Sequence, residues 1–450
     1  MEDLEKIELG LRENLARKNY KSVKAIVADL LPADVFEIIN DLNSTERVVV
    51  FRLLNKRVAA EVFTDLPIDQ QSELLELLSE KQTTELFEEL DPDDRADVLE
   101  EFPAGVVKQL LTLISPAERE MTARLLGYPE NSAGRIMTPE LVELRPTMTA
   151  SEALEHIRLV GPNKEMIYIC YVIGQYRKLR GAVSLREILF APPGSKITDI
   201  MTKDPVCVST QDDQEEVANI AVKYDLLAVP VVDAENRLVG IVTIDDLTDI
   251  IEEEVTEDVY RMAGIAELPE SYFNTKTLVL FRRRFIWLVL LMVAQIFTGG
   301  ILKHFESAML STVSLVFFIP MLMGTAGNAA TQSATLVIRG LAIGEIDVRA
   351  IGRVLVRETG MGILLGLLLG AVGGLIALFL GGDVGRLYLA VSIAFMCTIF
   401  TANLVGAFLP LAFKRFGFDP AISSGPAITT VVDISGLVIY FLIAGSILNL

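Results

Sequence analysis

The sequence predicts a multidomain membrane protein in three parts: an all-α superhelical domain, an α/β domain made of two repeated copies, and an α-helical membrane domain of five spans. Three observations predict this fold class. Charged residues are concentrated in the first two thirds of the chain, a motif is repeated within that part, and the last third is almost entirely apolar. A chain of 450 residues is long enough for two or three domains.

Charge separates a soluble part from a membrane part. Residues 284–450 contain only 7 of the 60 acidic and 9 of the 40 basic residues, a net charge of +2. Because the whole chain carries −20, residues 1–283 carry −22. So negative a soluble part repels the phosphates of nucleic acids, and it favours cations or basic surfaces as partners.

Other residue types exclude several classes of site. The three cysteines form no CxxC pair and the two histidines stand far apart, so neither a disulfide framework nor a zinc site is indicated. The chain shows no P-loop, no Ser/His/Asp set and no histidine cluster, and we therefore do not expect an enzyme.

The first ten residues, MEDLEKIELG, are acidic and contain no apolar run. They predict no cleavable signal peptide and a cytosolic N-terminus.

Five apolar stretches follow residue 284, each about long enough to cross a hydrocarbon layer of roughly 30 Å. Nine basic residues flank them on one side of the membrane, and two, Lys303 and Arg386, on the other. Basic residues favour cytosolic loops, so this predicts a multi-pass protein of the cell (inner or plasma) membrane with an outer C-terminus. Within a membrane domain 282–450 the predicted spans are 285–302, 312–338, 359–381, 387–413 and 426–448, and the nine bases are Arg282, Arg283, Arg284, Arg339, Arg349, Arg353, Arg357, Lys414 and Arg415.

Residues 1–130 predict a cytosolic domain of helices. Apolar residues recur at spacings of three and four, as from Val48 to Leu54. Pro32, Pro67 and Pro92 each have an acidic residue within two positions, a pattern typical of helix starts. Short helical hairpins stacked as a superhelix explain both features.

Residues 131–251 contain an internal repeat, with copies at 137–190 and 201–251. Each copy begins with Met-Thr, and a helix and an apolar strand follow. The copies end in similar sequences, LRGAVSLREIL and LVGIVTIDDLTDI. This resembles a tandem pair of CBS domains, an α/β regulatory module. In that family a Ser/Thr-x-x-Asp near the end of a copy can contact a nucleotide ribose; Thr243 and Asp246 match it, whereas Glu187 replaces the Asp after Ser184. The resemblance therefore leaves open both ATP or AMP binding and a purely structural pair.

Residues 252–281 predict an acidic connecting helix. It begins with five acids in seven residues, Glu252, Glu253, Glu254, Glu257 and Asp258. Such a run next to an anionic membrane surface favours a functional role. A solvated helix start is the alternative, because acids suit a helix N-terminus.

Asp433 is the one acid deep within the predicted spans. A carboxylate in hydrocarbon is costly, which favours a site that faces a water-filled path. Pro426, Thr429 and Thr430 share its helix face, and no Lys or Arg lies at depth to pair with it. Oxygen ligands alone suit a hard cation such as Mg²⁺ or Ca²⁺. The alternative is a protonated Asp433 that bonds to a neighbouring helix.

The whole chain resembles the MgtE magnesium transporters. The resemblance rests on the order of the domains and on three sequence segments: GTAGNAATQSATL at 324–336, ANLVGAFLPL at 402–411 and PAITTVVDISGLVIY at 426–440. Thr331 and Gly425 depart from it, because the family commonly has Asn at both positions.

The resemblance implies a homodimeric, Mg²⁺-selective channel in a lipid membrane, closed by cytosolic Mg²⁺. It assigns the pore ion to Asp433 and the sensing of Mg²⁺ to a larger set of acids. These are Glu61, Asp93 and Asp97 in the helical domain, Asp213, Asp225, Asp246 and Asp249 in the second CBS copy, Glu254, Glu257 and Asp258 in the connecting helix, and Asp419 before the fifth span.

Other functions remain open at this point. A carrier or channel for Co²⁺ or Mn²⁺ fits the same residues. An anion channel conflicts with a lone deep Asp, and a nucleotide-regulated membrane enzyme lacks a recognisable catalytic set. A purely sensory receptor has no need of polar residues inside its spans.

Overall fold

The computed structural model describes residues 2–266, 268, 272, 275–380, 386–422 and 425–449, with the side chains of Glu2, Asp3, Glu5 and Val348 left out. These residues divide into two compact units, Met1–Ile251 and Glu252–Leu450. The first unit contains the helical domain and the α/β repeat, and the second contains the membrane helices.

The helical domain is a stack of short antiparallel helices. One layer is formed by α3, α5, α7 and α9, each packed on the next, while α2, α4 and α6 pack in the same way in a second layer. This arrangement confirms the predicted stack of helical hairpins. The helices are α1 (Glu2–Ala16), α2 (Tyr20–Ala28), α3 (Pro32–Asn40), α4 (Ser44–Phe51), α5 (Lys56–Asp65), α6 (Ile68–Leu77), α7 (Glu80–Glu89), α8 (Pro92–Glu100), α9 (Ala104–Leu113) and α10 (Pro116–Leu125).

A polar side chain recurs every 24 residues in this stack, at Arg47, Gln71, Arg95 and Arg119. Each donates to the main-chain carbonyl eight residues before it. The three arginines also donate to the carbonyl five residues before them. Each side chain therefore satisfies carbonyls at the end of the preceding helix, which have no partner within that helix.

The α/β repeat forms two small sheets. In chain order the elements are β1 (Leu141–Leu144), α11 (Ala150–Val160), β2 (Met166–Ile173), β3 (Leu179–Ser184), α12 (Leu185–Phe190), α13 (Ile197–Ile200), β4 (Thr202–Lys203), β5 (Val208–Ser209), α14 (Gln214–Tyr224), β6 (Ala228–Val232), β7 (Leu238–Thr243) and α15 (Ile244–Met262). The strand orders are β1-β2-β3-β4 and β5-β6-β7, with a parallel pair first and an antiparallel pair next in both sheets.

The two copies exchange their opening residues. Thr202 of the second copy pairs with Ala182 in the sheet of the first copy, and Thr138 of the first copy bridges Ile241 in the second. Gly181 and Gly240 make room for this exchange: an added Cβ would lie 2.6 Å from the Met201 sulfur and 2.7 Å from the Met137 sulfur, respectively. The sequence division into copies 137–190 and 201–251 therefore separates residues that share a sheet.

The connecting helix predicted over 252–281 is shorter than expected. Helix α15 ends at Met262, and the next helix begins only at Thr277. Gly264 ends the helical path because it has φ +69°, the left-handed conformation common after helix ends. Residues 267, 269–271, 273 and 274 of the predicted helix lie outside the described residues.

Five helices in the described part of the second unit are long and apolar enough to cross a membrane. They are 24 to 30 residues long, or about 36–45 Å, so they exceed the hydrocarbon layer. Arg282–Arg284, expected before the first span, consequently lie within its helix, while residue 381 of the third predicted span lies outside the described residues. The spans are α16 (Thr277–His304), the 3₁₀ turn Val313–Phe318 with α18 (Ile319–Ala342), α19 (Ile351–Leu380), α20 (Leu387–Arg415) and α21 (Gly425–Leu448), and the short α17 (Glu306–Ser311) precedes the second.

Glycines set the close approach of α18, α20 and α21. An added Cβ at Gly327 would overlap the Thr429 side chain, and one at Gly406 would overlap the Ala330 carbonyl. At Gly436 a Cβ would lie 2.8 Å from the Thr398 methyl, as expected of a small residue at a helix contact. These contacts fix the rotation of α21, and with it the direction of Asp433.

Arg95→Ala tests the role of the repeated side chain. Arg95 is 1% exposed, and its guanidinium bonds to two carbonyls and to Glu118. Removal leaves these acceptors buried without a donor, and we expect the opening free energy of α7 and α8 to fall by about 3–5 kcal/mol. Hydrogen exchange of the full chain measures it. Arg119→Ala is the matched control because that side chain is exposed, and its loss should cost about 1 kcal/mol or less; equal losses would contradict the assignment.

Candidate metal sites

Three carboxylates converge in the first unit. Asp93, Glu165 and Asp246 each offer an oxygen, and these oxygens all lie within 4.8 Å of one another. We call this group the acid trio. Asp93 is only 5% exposed, and one of its oxygens is buried without a hydrogen-bond partner among the described residues. An arrangement that leaves buried acceptors unpaired points to a missing positive charge.

Local structure positions each member of the acid trio. Asp93 follows Pro92 in the first turn of α8, and Asp246 lies in the first turn of α15. Thr243, just before α15, donates its hydroxyl to Asp246 at 2.5 Å, which holds that carboxylate in place. Glu165 directly precedes β2 and bonds to the side chain of Thr138. The Thr243–Asp246 motif, which the sequence analysis relates to nucleotide binding, therefore also positions one carboxylate of the acid trio.

Burial and mutual repulsion raise the pKa values of the acid trio. Burial, with the charge of Glu165 second, holds the pKa of Asp93 well above its usual range. Burial raises the pKa of Glu165 to about 8, and it also raises the pKa of Asp246. The neighbouring Asp94 has its pKa raised to about 7, again mainly by burial. A divalent cation would replace these protons and relieve the repulsion.

Two further acidic groups contain predicted sensing residues. In the first unit, burial raises the pKa of Asp65, and the charges of Asp249 and Glu61 raise it further. In the second unit, Arg261 bridges the carboxylates of Glu257 and Asp419. Burial raises the pKa of Asp258 to about 6, and the charges of Asp419 and Glu254 raise it further.

The remaining predicted acids lie outside these groups. Asp213 accepts from the main chain of Glu215 at the start of α14, and Asp225 ends the same helix with φ +52°. Both therefore have a structural use as helix caps. Asp97 is close enough to Asp94 to raise its pKa but does not belong to the acid trio.

Asp433 lies half-buried on α21. The Gln295 amide of α16 donates to its Oδ2 at 3.4 Å. The carboxylate is the acceptor in this contact. Gln295 was not among the predicted site residues.

Threonine hydroxyls in three of the membrane helices bond within their own helix. Thr325 and Thr401 donate to carbonyls four residues earlier, at 2.7 and 2.8 Å. Thr430 does the same to Pro426 at 2.9 Å, and Thr429 does so to Gly425. Their hydrogens are therefore already used in hydrogen bonds, whereas the lone pairs of their oxygens can still accept one.

A second acid also lies within a membrane helix. Glu358, just outside the predicted third span, lies in the observed α19 and accepts from the Ser333 hydroxyl at 2.8 Å. That hydroxyl also lies 3.1 Å from the Asn403 carbonyl of α20.

Thr331 and Gly425, the two positions that depart from the sequence common in the family, are neighbours in space. A Cβ at Gly425 would lie 3.5 Å from the Thr331 methyl.

Five of the described helices are long and apolar enough to cross a membrane, and one of them carries the Asp433 carboxylate. Together with the acid trio of the first unit, they indicate a multi-pass membrane transporter for cations. Comparison with known proteins agrees with this class. Family models match at residues 30–131 (MgtE intracellular N domain), at 133–194 and 197–253 (CBS domain), and at 319–443 (MgtE, divalent cation transporter).

Individual relatives give the same result over the full length. The chain is 39% identical to the magnesium transporter MgtE of Thermus thermophilus over 450 residues, 99% of each chain. It is 34% identical to that of Bacillus subtilis over 75% of this chain and 74% of the relative. A crystal structure of the cytosolic domain of the Mg²⁺ channel MgtE in complex with ATP is 38% identical, with a TM-score of 0.52 over 54% of this chain and 99% of the other. The chain belongs to the MgtE family, and it is a transporter rather than an enzyme.

The raised pKa values predict a pH dependence of the acid trio. Folded-state pKa values above the unfolded ones mean that the folded protein binds more protons, so stability falls as pH rises from about 4.5 towards about 8. Mg²⁺ should remove this loss and bind more tightly at the higher pH. Hydrogen exchange of α8 in the full chain, with and without Mg²⁺, measures both effects.

Glu165→Gln provides the control for this prediction. The variant removes the group whose pKa is raised to about 8, so the dependence on pH above about 6 should flatten. Protection of α8 that responds to neither pH nor Mg²⁺ would contradict a cation site at the acid trio.

Proposed function

We propose that this protein conducts Mg²⁺ into the cell along a path lined by Asp433, and that cytosolic Mg²⁺ closes the path by binding to acidic groups of the soluble part. The observation that carries the proposal is the Asp433 carboxylate, which accepts from the Gln295 amide and has no basic partner at depth. Relatives named magnesium transporters along nearly the whole chain support the choice of ion.

The polar groups of the path suit an ion that keeps its water. Mg²⁺ loses its waters reluctantly, and those waters are hydrogen-bond donors. Asp433 offers carboxylate oxygens, while Thr429 and Thr430 offer hydroxyl oxygens whose hydrogens are already committed. A path of acceptors stabilises a hydrated cation and rejects anions. The same acceptors leave Co²⁺ or Mn²⁺ as the alternative cargo.

The assembly is a homodimer in this proposal. One short polar stripe on α21 hardly encloses a water-filled path alone, whereas two copies about an axis would place two Asp433 carboxylates around one ion. The positive-inside rule places the soluble part in the cytosol and the C-terminus outside. This orientation puts the acidic groups on the side where imported Mg²⁺ accumulates.

Closure follows from the acid trio and from helix α15. Without Mg²⁺, Asp93 of the helical domain faces Glu165 and Asp246 of the α/β repeat, and their repulsion favours separation. A bound cation reverses that preference, as a two-state switch requires. Asp246 and Asp258 both belong to α15.

Nucleotide binding to the CBS pair forms a secondary proposal. It is supported by the relative whose cytosolic domain was crystallised with ATP. Thr243 and Asp246 match the family's ribose contact, and they also hold one carboxylate of the acid trio. ATP and Mg²⁺ would then act on neighbouring groups.

Asp433→Asn tests the conduction path. The amide keeps the shape but lacks the charge, so we expect Mg²⁺ uptake into vesicles to fall by about tenfold or more. Gln295→Ala removes the donor that orients the carboxylate and should cause a smaller loss. Glu358→Gln is the matched control, because that acid already bonds to Ser333, and it should keep most of the uptake. Unchanged uptake by Asp433→Asn would refute the path.

Joint replacement of Asp93, Asp246 and Asp258 by Asn tests closure. Loss of these charges removes the groups that Mg²⁺ bridges, so flux should persist when cytosolic Mg²⁺ is high. Replacing the exposed Asp29, Asp41 and Asp199 by Asn removes equal charge away from the acidic groups and should leave closure intact. Mg²⁺ flux into vesicles measures closure, and its repetition with ATP on the cytosolic face measures the effect of nucleotide. Normal closure of the variant at Asp93, Asp246 and Asp258 would exclude closure by Mg²⁺ at these acids.

A further inference from the structure

A cavity of about 670 Å³ lies at the beginning of α16, apart from Asp433 and from the acid trio. Its wall is mostly apolar and includes Ile265, Leu278, Ile286 and the indole of Trp287. Leu278 is 77% and Ile286 62% exposed. Side chains of this kind are costly to leave in water, and their exposure favours an apolar occupant.

The wall is closed on one side by a glycine that no other residue could replace without a rearrangement. Gly264 has φ +69°, and an added Cβ would overlap the Trp287 indole. The backbone after α15 therefore lies directly against the ring. A tryptophan near the beginning of a membrane span is typical of the membrane–water boundary, where its ring has both apolar and polar neighbours.

Two arginines at this cavity have no ion-pair partner among the described residues. Three arginines contribute to its lining, and one of them, Arg261, is already paired with Glu257 and Asp419. Arg282 and Arg283 form no ion pair within the described residues. The cavity therefore combines apolar surface with two free guanidinium groups, which match a fatty-acyl chain and a phosphate.

We propose that this cavity binds an anionic phospholipid of the cytosolic leaflet. Its phosphate lies between Arg282 and Arg283, and the upper part of an acyl chain covers Leu278 and Ile286. Basic pockets beside membrane helices on the cytosolic side bind such head groups, and the cavity volume falls in the range of small-molecule sites. This site is separate from ion conduction, and only its assignment to the cytosolic leaflet rests on the orientation given under the proposed function.

Trp287 makes the site directly measurable, because it is the single tryptophan of the chain. The full-length protein is placed in vesicles of phosphatidylcholine that contain a small fraction of brominated lipid, which quenches tryptophan fluorescence on contact. Brominated phosphatidylglycerol should occupy the cavity in preference to brominated phosphatidylcholine by on the order of tenfold or more, since each arginine near the surface contributes to the binding of anionic lipid.

Variants of the two arginines assign the preference to the cavity. Arg282→Gln with Arg283→Gln should reduce the preference for the anionic lipid to near unity, whereas the double Lys variant should retain it. Arg353→Gln with Arg357→Gln is the matched control, because these arginines face the cytosolic side in the same proposed orientation and do not line the cavity. The Lys variant also shows whether a change follows from lost charge or from misfolding.

Three outcomes would overturn the proposal. Equal quenching by both lipids would mean that Trp287 meets only bulk bilayer. No quenching by either lipid would mean that a second copy of the chain, or another part of this one, covers the cavity. Displacement of the brominated lipid by inorganic phosphate alone would assign the arginines to a soluble anion.

Discussion

The cost of enclosing a carboxylate without a positive partner is the constraint on which this protein depends. The chain is able to satisfy a buried charge completely: Arg95 bonds to two carbonyls and to Glu118, and Arg135 bonds to Glu100 at 2.9 Å. Asp93 is about as deeply buried, yet one of its oxygens has no hydrogen-bond partner among the described residues, and the charges that raise its pKa are acids. The contrast separates charges that stabilise the fold from charges that, in the proposed function, bind a cation.

Regular structure delivers these incomplete charges to defined positions. Asp93 and Asp246 both lie in the first turn of a helix, where the exposed amides favour negative charge and lower the cost of holding it. Glu165 adds a third carboxylate from the residue before β2, and it cannot move away without disturbing that strand. In the proposed site a cation would gain affinity from ligands that are already in place, and the protein would lose stability when the cation leaves.

Helices and strands that follow from the local spacing of apolar residues could be predicted from the sequence. The helix and the apolar strand expected after the Met-Thr of the second CBS copy occur at 214–224 and 228–232, because apolar spacing and turn residues agree along the chain. Glu165 and Gln295 were missed, because their partners lie 81 and 138 residues away in the sequence and no periodicity links them. Two errors had visible signals: Gly264 marks the end of α15, and the 24-residue recurrence of Arg95 and its equivalents was present among the leucines.

Two carboxylates lie in the membrane helices, and their surroundings distinguish their roles. Glu358 receives the Ser333 hydroxyl at 2.8 Å, and Ser333 also contacts a carbonyl of α20, so this acid ties three helices together. Asp433 receives one long bond from an exposed amide, and its helix is fixed by the contact of Gly436 with Thr398 rather than by the carboxylate. A group that contributes so little to packing is not needed for the fold, and in the proposed path a cation that passes beside it would offset the free energy of placing a carboxylate in hydrocarbon.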